Sequence, residues 1–327
     1  MVISSNSSFK INRPGDLFQL NLWPQSQILV LLLIPFLSLL CQGCSVRRYA
    51  INTLADALSQ SGKTFSSDED PELIRGALPF SLKLVESLLA ESPKHQGLLL
   101  AACQGFTQYS YAFIQQDADE IEAKDLGAAN ILRVRARRLY LRARNYGLRG
   151  LEDKYDNFER SLRKDPKFAV ERATVSDVPL LYWTASAWGA AIALSKDDPE
   201  LIADLPFVEA LIDHAMQLKE DFDHGAIHTF LITYEASRQG AKGDASLRSR
   251  NHFQRAMQLS AGQLASPLVS FVEAVSIGKQ NKAEFQSLLS QALKIDANAN
   301  PEWRLQNLVM QRRARWLLSR MDELFVD

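Results

Sequence analysis

Glycine and proline are scarce here, 15 and 12 of 327 residues, and β-branched side chains alternating with polar ones are almost absent. Sheet proteins need both, so a β fold is excluded. Ala, Leu, Arg, Glu and Gln dominate instead, and the class is all-α. An excess of either charge is also missing: 37 basic against 38 acidic residues, net −1, gives no electrostatic case for nucleic acid. No serine nucleophile elbow, phosphate loop or dinucleotide fingerprint occurs, so nothing points to a catalytic residue or a cofactor. Cysteine is down to three residues, Cys41, Cys44 and Cys103.

What is present centres on Asp177 to Leu218. No charged residue lies between Pro179 and Leu194, and Tyr182, Trp183 and Trp188 sit among alanines. A helix apolar nearly all round cannot lie on a surface. It is also too short to span a bilayer, which takes roughly 20 apolar residues. A central helix of a folded domain is expected, its small residues letting neighbours approach closely. Trp183 and Trp188 point about 140° apart, so one packs in the core and the other lines a cleft. Asp198 and Pro199 start the next helix as N-cap and first residue, and an amphipathic helix runs from about Phe207 to Leu218.

The N-terminus reads as an export signal. Residues 1–27 are polar, Ile28 to Leu40 is an uncharged, mostly apolar run, and Gly43-Cys44-Ser45 follows. This resembles a bacterial lipoprotein signal, with 1–43 removed, Cys44 lipidated and 44–67 a tether carrying a short helix at Ala50 to Leu58. Cys41 stands where the pattern favours Leu. Ser45 after the lipidated residue implies the outer membrane. Cys103 is then the sole mature thiol, a buried small residue. No intramolecular disulfide can form, and the fold must rest on core packing.

Helices are expected from Asp70-Pro71 to Ser92, from Gln96 to about Glu122 and from about Lys124 to Leu151, the main domain filling 68–327. The second carries Phe106, Tyr109, Tyr111 and Phe113. An acidic run (Asp117, Asp119, Glu120, Glu122, Asp125) precedes a basic one (Arg133 to Arg149), and both read as solvated faces. Ala215-Met216-Gln217-Leu218 recurs as Ala256-Met257-Gln258-Leu259 and Ala292-Leu293-Lys294-Ile295, at spacings of 41 and 36. That pattern suggests degenerate tetratricopeptide-like helix pairs stacked into a solenoid, a shape that binds other molecules far more often than it catalyses. His224 and His228, i and i+4, could supply two zinc ligands of a hydrolase, but there is no adjacent Glu and no Cys partner. Asp221-Phe222-Asp223 reads more simply as the cap of a helix beginning near His224, and no metal site is assigned.

Several segments together resemble a known family: DEDPELIRGALPFSLKLVESLLAESPKHQGLLLAACQGFTQYSYAF, RRLYLRARNYGLRGLE, DVPLLYWTASAWGAAIALSKDDPELIADLPFVEALID, DFDHGAIHTFLITYEASR, HFQRAMQLSAGQLASPLVSFVEAVSI and PEWRLQNLVMQRRARWLLSRMDELF. They are similar to the T-component family (TatT) associated with tripartite ATP-independent periplasmic (TRAP) transporters. The resemblance implies a periplasmic, lipid-anchored, non-enzymatic homotrimer that partners a TRAP solute-binding protein and handles a hydrophobic small molecule. Phe106, Tyr109, Tyr182, Trp183 and Trp188 are the candidates to line the ligand cleft. A tetratricopeptide-like scaffold of envelope complexes, with no ligand, is the alternative. With the leader removed, 35 basic and 37 acidic residues remain. Docking is then expected to use local patches such as Arg133–Arg144 or Arg312–Arg320.

Each buried acyl methylene contributes about 0.8 kcal/mol to membrane attachment, so several chains hold stably. Cys44→Ser is expected to release the protein from membranes or leave its leader uncleaved. Labelling by a fatty-acid analogue that persists in this variant would rule out Cys44 as the acylated residue.

Overall fold

The computed structural model describes residues 52–58, 62–238 and 240–326. The leader at 1–43, Cys44 and much of the tether lie outside these residues. Every regular element among the described residues is helical, and none is long and apolar enough to cross a membrane.

The helix starts follow local capping chemistry. Asp70 accepts hydrogen bonds from the Glu72 and Leu73 amides and starts α1, Pro71–Glu91, with proline in its first turn. Ile74, Leu82, Val85, Leu88 and Leu89 form its buried face, whereas Leu73 is 60% exposed. The next helix, α2, runs Gln96–Tyr109 and passes through a π-helical turn at Ser110–Gln115 into Gln116–Ile121. Asp125 caps α3, Leu126–Lys154. Asp117, Asp119 and Glu120 of the acidic run therefore lie in the last turns of α2, whereas Asp125 opens α3.

After two short helices, Asp177 precedes α4, Val178–Ala193. Asp177 is 1% exposed. Burial would raise its pKa, but Lys154, the Tyr155 hydroxyl and Thr174 outweigh it and bring the carboxyl down to about 2. This ion-paired carboxylate ties the end of α3 to the start of α4. Close approach of these two helices comes from α3 as much as from the alanines of α4. A Cβ on Gly147 would sit 2.0 Å from Thr184 Oγ1, and one on Gly150 would sit 2.7 Å from Leu180 Cδ2.

Asp198 caps a single turn, Pro199–Ile202, before α5, Leu205–Leu218. Then come α6, Ala226–Tyr234, and α7, Ala245–Leu259. Next is α8, Ser266–Phe271, which continues into a second π-helical turn at Val272–Ser276. Last are α9, Lys282–Lys294, and α10, Arg304–Ser319. The recurring alanines Ala215, Ala256 and Ala292 fall near the ends of α5, α7 and α9, and all three are fully buried.

Alternate helices form a continuous row: α2 packs on α4, α4 on α6, α6 on α8 and α8 on α10. The row then closes. α10 touches α1, and its arginines reach the acidic end of α2. Arg312 binds Asp117 at 2.7 Å and Glu120 at 2.6 Å, while Arg313 binds Asp119 at 2.8 Å and Glu273, on the second π turn, at 2.6 Å. Arg75 and Arg133 complete the set on Asp117 and on Asp119 and Glu122. The two charge runs are thus not simply solvated faces. Arg133, Arg312 and Arg313 are engaged within the chain, which removes them from the expected docking patches; Arg138 and Arg315 stay exposed.

Arg313 is only 11% exposed, and its removal would strip Glu273 of its ion-pair partner. Breaking a buried pair on one side costs about 3–5 kcal/mol. Arg313→Ala is expected to fall near the low end of that range, because Asp119 keeps Arg133. Urea denaturation checks this: an unchanged midpoint would mean that closure adds nothing to stability.

Candidate functional site

The two faces of α4 divide its aromatic residues. Leu181, Thr184, Ala185, Trp188 and Ala191 turn into the core. Trp188 is 1% exposed, donates its indole N–H to Asp204 at 3.1 Å, and lies between Phe207 and the Arg144 guanidinium. Tyr182, Trp183, Ser186, Gly189 and Ala190 keep accessible surface and share the other face. This is the expected division of the two tryptophans between interior and edge.

Phe106 and Tyr109 are enclosed on α2. Phe106 stacks on Tyr146 beneath Arg142, and Tyr109 packs on Phe113. Of the five cleft candidates, the structure brings Tyr182 and Trp183 together half-buried and holds Phe106, Tyr109 and Trp188 in packed surroundings.

Against the accessible face of α4 stands the turn that follows Asp221, which is not the simple helix cap expected from Asp221-Phe222-Asp223. Phe222–Gly225 is a single short turn in which Asp223 (φ 43°) and His224 (φ 55°) both adopt left-handed backbone, followed by Gly225 at φ 93°. Helix α6 begins only at Ala226. A Cβ on Gly225 would meet Ala256 Cα at 3.1 Å, so the turn needs glycine for conformation and for its contact with α7. The Phe222 ring lies 5.3 Å from Tyr182, and Tyr182 lies 5.0 Å from Trp183. The His224 ring sits 4.7 Å from Trp303, just before α10. Phe222, Asp223, His224 and Trp303 therefore join the wall without having been picked out in the sequence as its members.

The wall is accessible yet poorly solvated. Asp223 is exposed, but burial still raises its pKa, opposed in part by the His224 charge and helped to a lesser degree by that of Glu302. Burial, and then the Asp223 charge, likewise raise Tyr182. The Ser186 hydroxyl is buried there with no hydrogen-bond partner. On its other side Trp303 borders a separate open groove of about 330 Å³, whose lining includes Gln263, Lys294, Asp296 and Asn307.

The expected i, i+4 histidine pair does not form, because His224 lies outside the helix that carries His228. His228 instead turns to α7, its Nδ1 2.8 Å from His252 Nδ1, with Glu220 at 3.2 Å from its Nε2. Glu220 also takes two bonds from Arg255, and Glu235 approaches His252 at 3.7 Å while pairing with Arg238 and Arg248. Among the described residues no three His, Cys, Asp or Glu side chains gather in a metal-binding group.

A family model described as TRAP transporter T-component matches residues 67–325 of the chain. A protein of Treponema pallidum (strain Nichols), described as uncharacterized, is 28% identical over 307 residues, which span 88% of this chain and 95% of that protein.

The two facing histidines should make stability depend on pH. Burial lowers both pKa values, and for His252 the His228 charge lowers it further. The unfolded chain then binds more protons below the ordinary value of 6.5, so stability rises with pH through that window. Urea midpoints are expected to stay level from pH 8 to 7 and to fall as pH drops below 6.5. The fall should be smaller in His252→Gln; equal slopes in both proteins would clear the pair of this role.

Proposed function

The chain belongs to the TRAP transporter T-component family, and from that membership we propose that it is a non-enzymatic envelope lipoprotein serving such a transporter. In this reading residues 1–43 are removed, Cys44 carries the lipid, 44–67 is a tether and 68–327 is a tetratricopeptide-like helical domain. The protein works as a homotrimer, held at the periplasmic face of the outer membrane. It partners a periplasmic solute-binding protein and receives or passes on a hydrophobic small molecule.

The family match carries this reading, since it covers nearly all of the helical domain. The aromatic wall of Tyr182, Trp183 and Phe222 supports the ligand part: it is accessible, apolar and poorly solvated. Membrane attachment raises the local concentration of whatever docks, so a modest affinity is enough. With Arg133, Arg312 and Arg313 engaged internally, docking rests on shape and on residues left exposed, such as Arg138 and Arg315.

The purified protein is expected to form a complex with the solute-binding protein encoded beside it. Sedimentation or calorimetry at concentrations up to about 100 μM reaches weak transient pairs. No complex with the loaded or the empty partner would favour a scaffold of envelope complexes that binds no ligand.

A further inference from the structure

We propose that the wall of Tyr182, Trp183 and Phe222 receives the positively charged head of an amphipathic amine, with the Asp223 carboxylate as its counter-charge. The proposal rests on the reading that this protein binds a hydrophobic small molecule, and it names the head group that molecule carries.

Asp223 has no structural task. Among the described residues its carboxylate makes no ion pair and no hydrogen bond, only its backbone carbonyl accepting from the Ala226 amide, and the following helix is capped by Gly225 with no side-chain bond. The other carboxylates around the interior are differently placed. Asp177 holds Lys154, Asp119 holds Arg133 and Arg313, Glu235 holds Arg238 and Arg248, and Glu273 holds Arg313. Asp204, the other aspartate whose pKa burial raises, accepts from Trp188 and faces Arg144 and Arg163. Asp223 has only the neighbouring His224, while Glu302 adds a second negative charge.

The backbone holds that carboxylate in place by unfavourable means. Two successive non-glycine residues in left-handed conformation persist only where the surroundings enforce them. Here the enforcing contacts are Gly225 against α7 and His224 against Trp303. Asp223 does not serve as an ordinary helix cap; in the same turn it directly follows Phe222, whose ring packs on Tyr182.

The rings beside it suit a cation. Tyr182, Trp183 and Phe222 are mutually tilted at 5.0 and 5.3 Å. Aromatic faces attract ammonium groups, more strongly when water is excluded. Among the described residues no arginine or lysine lies over these three rings, although cations cover Phe106, Trp188, Phe207, Tyr234 and Trp316 elsewhere. From Ser186 the same face of α4 continues to Gly189, which Phe230 and Val208 cover, so the surroundings of the rings are apolar. An anionic ligand would meet the unpaired Asp223 carboxylate, Glu302 being paired with Lys63 at 2.9 Å, and a neutral one would desolvate Asp223 without compensation.

Calorimetric titration of the purified protein at pH 7 with decylamine, decanol and decanoate tests this. Decylammonium is expected to bind about tenfold more tightly than decanol, and decanoate more weakly than either. Asp223→Asn should bring decylammonium to the affinity of decanol and leave decanol unchanged. Asp223→Gly, which relieves the left-handed strain, should do the same and guards against a folding defect. Equal binding of decanol and decylammonium by the native protein, or an amine preference that survives both variants, overturns the proposal and leaves the hydrophobic-ligand reading intact. If none of the three binds, that underlying reading falls.

Discussion

The ion pairs between α10 and the acidic end of α2 are the constraint on which the remaining structure depends. They join positions some 195 residues apart. Carboxylates at a helix C-terminus oppose the helix dipole, so Asp117, Asp119 and Glu120 need these arginines where they stand. Each π-helical turn lies beside the junction: Gln115 leads directly into the acidic residues, and Glu273 sits in the second turn. The extra residue in each turn rotates the side chains that follow relative to a regular helix.

Closure also sets the candidate site. Trp303 stands at the head of α10, so the contacts that bring α10 back to α1 and α2 also bring this indole onto His224. The turn at Phe222–Gly225 is then held from both sides, by Trp303 and by α7. A wall built this way is held in place by packing on both sides.

Helix α4 couples the wall to the core. Trp188 anchors its hidden face, and the glycines of α3 let the helix sit close enough for its small residues to be buried. The exposed face can then carry aromatic residues at fixed positions without itself supplying much stability. Contacts on that face can thus change while the packing that defines the helix stays.

Much of this was legible in the residue order. The all-α class, the caps at Asp70 and Asp198, the buried alanines near the ends of α5, α7 and α9, and the division of Trp183 from Trp188 follow from hydrogen bonds and periodicities spanning only a few residues. The site was half legible, since an uncharged aromatic run identifies Tyr182 and Trp183 but not what faces them. Phe222, Asp223, His224 and Trp303 came only with the tertiary structure. A left-handed turn at Asp-His is not a local preference, and the contact of His224 with Trp303 joins distant parts of the chain. The acidic and basic runs were visible as charge alone. Whether such runs meet water or each other depends on which helices are brought together, and only the closure of the helix row decided that.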